Sequence, residues 1–204
     1  MSPADPLSYV DRRVAELFAL VSEALAGATD ALLGGEAAIG RRIVAADESV
    51  DSLTKELGTV VWGELDRPGI GPSELRRLIG VLLILPELER SADLAEHIAQ
   101  RAVAHLGPSM TPASRGLVQR MSEVALRMWR NAADAYAERG AAGAALDRLD
   151  EELDELRDRL ASEVAGSSVP PAVAAQVALV ARFYERLGDH AVNLARRIES
   201  LPPT

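Results

Sequence analysis

The chain of 204 residues contains no cysteine. That removes thiolate metal sites, disulfides and cysteine nucleophiles, and leaves carboxylates and three histidines as the available ligands. Aromatic residues make up only 3%, while Ala and Leu dominate, a composition that favours helices over strands. No cluster of Lys and Arg occurs; the basic residues are spread among a larger number of acids and the net charge is −9. Nucleic-acid binding needs concentrated cations to neutralise phosphates, so that class is set aside and cations or proteins are the expected partners. No apolar run reaches the ~18 residues that read as a membrane span. The longest, Leu78 to Leu85, stops at Pro86. The first residues, Met1-Ser-Pro-Ala-Asp-Pro6, show neither a charged leader nor an apolar core, which predicts a cytoplasmic protein without a secretory signal. A Gly-rich phosphate loop and a nucleophile elbow are both missing.

Against these absences, 48% of residues are apolar and 26% charged, the composition of a globular chain that can bury a sizeable core. The periodicity predicts an all-α fold. From Leu7 to Leu33, Val10, Val14, Leu17, Leu20, Val21, Leu25 and Ala28 recur at three- and four-residue steps, and Gly34-Gly35 ends the segment. A second helix is expected over 36–65, followed by the breaker cluster Asp66-Arg-Pro-Gly-Ile-Gly-Pro72. A third runs from about Ser73 to His105, with a kink expected at Pro86, where an N–H is missing. Thr111-Pro112 is a good N-cap and first-turn pair for a fourth helix that Gly140 ends. A fifth is expected over 142–164 and a sixth from Pro170-Pro171 to about Ser200. Trp62 and Trp129 read as core or interface anchors, Met110, Met121 and Met128 as packing, and His97 and His105 as helix-face residues.

The six helices fall into two sets of three that superpose in register. Ile43, Asp47, Val50, Asp51, Leu53, Leu57 and Val61 align without a gap on Leu146, Asp150, Leu153, Asp154, Leu156, Leu160 and Val164. Aligning Leu88 with Tyr184 brings Glu89, Arg90, Asp93 and Arg101 onto Glu185, Arg186, Asp189 and Arg197. A repeat of this kind implies one supersecondary unit used twice. Short connections favour antiparallel neighbours, so the expected architecture is two tandem three-helix bundles, residues 1–107 and 108–204.

Each half carries two carboxylate pairs four residues apart: Asp47 with Asp51 and Glu89 with Asp93, then Asp150 with Asp154 and Glu185 with Asp189. Like charges at this spacing destabilise a helix by roughly 0.2–0.5 kcal/mol per pair. A hard cation held by oxygen ligands from two facing helices would offset that cost, with carboxylates suiting Mg, Mn, Ca or iron. The bland alternative is a solvated face on which Arg90, Arg186 and Lys55 neutralise the acids as surface ion pairs. His190, beside Asp189 but about 100° round the helix, is expected to bond a neighbouring helix rather than a metal.

These motifs, above all Glu185-Arg-Leu-Gly-Asp189-His190-Ala-Val-Asn193, resemble the repeated motifs of the PhoU family, accessory regulators of bacterial phosphate uptake. The resemblance spans both halves. It implies tandem three-helix bundles whose acidic motifs in some members hold multinuclear iron or zinc clusters, which would make Asp47, Asp51, Glu89, Asp93, Asp150, Asp154, Glu185 and Asp189 ligands for iron, zinc, manganese or magnesium ions. It further implies a non-enzymatic, cytoplasmic negative regulator, a homodimer, acting on a phosphate ABC transporter's ATPase subunit and on the sensor histidine kinase, with peripheral attachment at the inner membrane face left open. In the first half Leu94 and His97 stand where the second has His190 and Asn193. Two other classes compete: a di-iron carboxylate, ferritin-like enzyme and a metal-free helical scaffold. The first pairs Glu with His three residues on, whereas Glu89 and Glu185 have Ala92 and Gly188 there.

Overall fold

All six helices predicted from the periodicity are present in the computed structural model, which describes residues 6–138, 140 and 142–199, and no strand occurs among them. In chain order they are α1 (Pro6–Gly34), α2 (Ala37–Leu65), α3 (Pro72–Val103), a short α4 (Leu106–Ser109), α5 (Pro112–Glu138), α6 (Gly143–Gly166) and α7 (Pro171–Glu199). The expected end of the last helix, Ser200, and the opening residues 1–5 lie outside the described residues.

The one-turn α4 is an addition to the expected six. His105 sits at φ 56, in the left-handed region, so α3 ends at Val103 and His105 is a turn residue rather than part of a helix face. The chain then comes so close to α1 that a Cβ on Gly107 would lie 1.8 Å from the Leu32 carbonyl oxygen; only glycine fits there. At the start of α5 the Thr111 hydroxyl accepts the Ser114 backbone N–H at 3.0 Å, the cap that the Thr-Pro pair predicts. α3 runs on through Pro86 without interruption.

Within the first half α1, α2 and α3 pack on one another, and α5, α6 and α7 do the same in the second. The halves meet through α1 against α5 and α3 against α7, which leaves α2 and α6 on the outside. One apolar core therefore crosses the boundary. Phe18 of α1 packs against Trp129 and Tyr136 of α5 with ring centroids 5.9 Å apart in both cases, and the Trp129 indole N–H donates to the Leu187 carbonyl at 3.2 Å. Met110, Met121 and Met128 are buried with them. Of the core and interface roles expected for the two tryptophans, Trp129 takes the first, whereas Trp62, 62% exposed on an outer helix, is no part of the core. α1 is long and apolar enough to cross a membrane by length and composition, although Glu16, Glu23 and Asp30 interrupt its apolar residues. Val10, Val14, Leu17, Val21, Leu25 and Leu32 place that apolarity in the core.

Two buried polar contacts tie the halves in register. Thr29 of α1 meets Tyr184 of α7 at 2.7 Å and Ser122 of α5 at 2.9 Å, three buried hydroxyls that satisfy one another. At the α3 and α7 crossing, Ser91 bonds His190 Nδ1 at 2.9 Å, and Glu87, 6% exposed, accepts Arg197 Nη2 at 3.0 Å. His190 thus bonds across to the neighbouring helix, as its position round α7 predicted. The repeat gives the far side of this crossing the partner positions, Phe183 for Glu87 and Arg101 for Arg197. There the guanidinium lies 5.0 Å from the Phe183 ring centroid, a cation–π contact in place of the ion pair.

Candidate metal centres

On α2 the buried stripe Val50, Leu53, Leu57, Val61 turns toward the core, and Asp47, Asp51 and Thr54 follow beside it at steps of four and three, one face of the helix. α3 runs alongside with Leu88, Ala92, Ala95 and Ala99 buried, which holds Glu89 and Asp93 at the seam. The two helices bring Asp47, Asp51 and Asp93 together with one carboxylate oxygen from each within 4.8 Å of the others. Glu89 is outside that set but close enough for Asp51 and Asp93 to act on its charge.

Crowding of like charges shows in their acidities. Burial, then Asp93 and Asp51, and to a smaller extent Glu96 and Glu89, push the Asp47 carboxyl up to about 6. Burial first and Asp51 next raise Asp93, against a lowering influence of His97, and burial raises Glu89 with Asp51 and Asp93 adding to it. Among the described residues no basic side chain forms an ion pair with any of these four acids. Of the cations that the bland alternative offered, Arg90 acts on Glu89 and Asp93 only from a distance. The Thr54 hydroxyl, in a side chain only 8% exposed, has no hydrogen-bond partner. Thr54 lies one helical turn past Asp51, and carboxylates without a counter-charge together with such an orphaned hydroxyl are oxygen donors of the kind a hard cation takes. Sequence reasoning passed over Thr54 and Glu96; the latter lines, with Asp47, Ile39, Ile43 and Leu20, a cavity of about 290 Å³ between α1, α2 and α3. The signal for both was their spacing of three from Asp51 and Asp93.

The second half has the same backbone plan. Gly188, in the middle of the Glu-Arg-Leu-Gly-Asp motif, lets α7 approach α6: a Cβ there would meet Leu153 at 2.7 Å and an Asp150 oxygen at 3.3 Å. Burial, then Asp189 and Asp154, raise the Asp150 carboxyl, and burial followed by Glu185 raises Asp189. Yet no three of these acids come together as Asp47, Asp51 and Asp93 do. Arg157 stands instead between two of them, Asp154 and Glu185. Its Nη1 is 3.0 Å from Asp154 and 3.0 Å from Glu185, its Nη2 is 3.0 Å from Asp158, and Arg182 pairs with Glu185 from the other side. Of the four acids, Asp154 and Glu185 are thus engaged by guanidinium groups, and Asp150 and Asp189 have no ion pair among the described residues.

Two repeats of three long helices, each with acids at the seam between its second and third, define a class of tandem three-helix bundles built around acidic motifs. The chain belongs to the PhoU family, whose PhoU domain matches residues 14–102 and again 118–198. It is 27% identical over 202 residues to the phosphate-specific transport system accessory protein PhoU homolog of Rhizobium meliloti (strain 1021), covering 95% of this chain and 84% of that protein. Crystal structures of PhoU from Pseudomonas aeruginosa (TM-score 0.88, 21% identity, 96% of each chain) and of the phosphate transport system regulatory protein PhoU from Streptococcus pneumoniae (TM-score 0.84, 20% identity, 96% of this chain and 94% of that one) share its fold.

Proposed function

We propose that the protein is a cytoplasmic, non-enzymatic regulator of phosphate uptake, which restrains phosphate-starvation signalling by binding the ATPase subunit of a phosphate ABC transporter and its sensor histidine kinase. The observation that carries this reading is the pair of PhoU-domain matches, which take in both halves of the chain. The names of its relatives, accessory protein and regulatory protein of phosphate transport, point the same way. A regulator of this kind acts by binding one state of a partner better than another, since equal affinity for both shifts nothing.

In this reading Asp47, Asp51 and Asp93 hold a divalent or trivalent metal ion, iron, zinc, manganese or magnesium, with Glu89 close by and Thr54 one turn past Asp51 on α2. The bound ion supplies positive charge that cancels the repulsion between α2 and α3. The protein's own acids supply the rest: an acidic outer face that steers encounter with basic partner surfaces and sets register more than affinity. The di-iron enzyme reading has no support at the positions it needs, Ala92 and Gly188.

Deletion of the protein should switch on phosphate-starvation genes in phosphate-rich medium, read with a reporter. Pull-downs at low salt should recover the kinase or the transporter ATPase, and the yield should fall as salt rises. Silent starvation genes together with empty pull-downs would overturn the assignment.

A further inference from the structure

The repeat invites the assumption that both halves treat cations alike, but residues two helical turns along from the first acid of each pair say otherwise. In the register that places Asp47 and Asp51 on Asp150 and Asp154, Thr54-Lys55 of α2 corresponds to Arg157-Asp158 of α6. A neutral hydroxyl gives way to a cation, and a cation to an acid. In the α3 to α7 register, Pro86 corresponds to Arg182. The second half therefore carries two guanidinium groups at positions where the first half has a hydroxyl and a proline ring.

The contacts show what the exchange does. One nitrogen of Arg157 reaches 3.0 Å to Asp154 on α6 and 3.0 Å to Glu185 on α7, joining the two helices through their acids as a shared cation would. Asp158 holds the same guanidinium at 3.0 Å through Nη2 and 3.2 Å through Nε, so the side chain is fixed at its far edge too. Arg182 takes the other oxygen of Glu185, whose side chain is 14% exposed. A divalent ion placed there would meet a positive charge a few ångströms away and two carboxylates already engaged. Between α2 and α3 nothing of the kind stands in the way: the corresponding acids have no ion pair among the described residues, and the Thr54 hydroxyl that replaces Arg157 has no partner.

We infer that the two acidic motifs have diverged within this chain: the first half binds the metal, and in the second Arg157 takes the metal's place as an internal cation that clamps α6 to α7. This rests on the metal reading of the first half proposed above. A guanidinium cannot be lost to a chelator, so the second bundle keeps its clamp whatever the metal supply, while the first depends on it. Metal scarcity then loosens α2 against α3 and leaves α6 and α7 unchanged.

The test is a Mn²⁺ titration of the intact protein stripped with chelator, with bound metal counted by elemental analysis after gel filtration. Asp93→Asn should weaken binding on the order of tenfold or more, whereas Asp189→Asn and Asp150→Asn should leave stoichiometry and affinity where they are. Arg157→Thr with Arg182→Ala should add a second set of bound ions, and Asp189→Asn should remove only that set. If the double variant fails to fold, the comparison of Asp93→Asn with Asp189→Asn in the natural background still decides. Equal loss of metal from those two variants overturns the inference and leaves the metal reading standing. No binding to the unaltered chain overturns both.

Discussion

The Asp47 carboxyl, pushed from 3.8 up to about 6, makes a pH dependence that runs opposite to that of a salt-bridged acid. Because its folded-state value is raised, the stabilisation that protonation gives is complete below about pH 4 and is lost as pH rises through 6. In the metal-free protein the unfolding free energy should therefore fall between pH 5 and pH 7. Asp47→Asn should flatten that slope and stabilise the metal-free protein at pH 7 by about 1 kcal/mol, a figure discounted for the part of the carboxyl in water. Urea midpoints at the two pH values, in chelator, check both the sign and the size. A second residue-scale prediction concerns backbone approach. Gly107→Ala must push the chain off the Leu32 carbonyl, and should cost about 2–4 kcal/mol. Gly188→Ala meets the movable end of Leu153 and should cost less, about 1–2 kcal/mol. Chemical denaturation of the two variants side by side would settle the order.

At the scale of helices, the crossing of α3 and α7 shows how a repeat holds its geometry while changing its chemistry. On one side Glu87 takes Arg197 and lies 3.8 Å from His190; on the other Arg101 lies over Phe183, with His97 stacked on the ring at 5.3 Å. Glu87 is the buried member, so its replacement leaves two cationic or polar partners facing an emptied pocket. Burial lowers the His190 pKa more than Glu87 raises it, so the neutral imidazole is favoured and Ser91 is its nearest hydrogen-bond partner. Glu87→Ala should destabilise by about 2–3 kcal/mol, less than a fully buried pair because Arg197 keeps partial access to water. Phe183→Ala, across the crossing, loses apolar packing and the cation–π contact and should cost about 2–4 kcal/mol. Thermal unfolding of the two single variants gives the comparison.

For the whole molecule the arrangement of α1 and α3 against α5 and α7 matters most, since the two repeats do not have separate interiors. Phe18, Trp129 and Tyr136 share one cluster, and the Thr29, Ser122 and Tyr184 hydroxyls close it. Unfolding should accordingly be a single transition, with far-UV and near-UV circular dichroism coinciding. Two resolved transitions would mean that the halves are independent. The outer helices α2 and α6 are each held by one half alone, so hydrogen exchange should be fastest there, and metal should slow it in α2 but not in α6.

Much of this could be read from the chain itself, because helical periodicity and a gapless repeat are local properties. The apolar steps of α1, the Thr111-Pro112 start of α5 and the matching of Asp47-Asp51 with Asp150-Asp154 need no knowledge of how helices pack. Side-chain direction along a helix also placed His190 away from Asp189 and toward a neighbour. Tertiary structure decided which charges are compensated. Arg157 is three residues from Asp154 and reads as an ordinary surface pair, and only the register of α6 against α7 brings it to Glu185. The same holds for Trp62 and Trp129, alike in sequence and opposite in burial, and for α4, which follows from the close approach of Gly107 to α1. Periodicity specifies which residues share a face; the partner that the face meets, and whether its charge is already answered, depends on contacts between residues far apart in the chain.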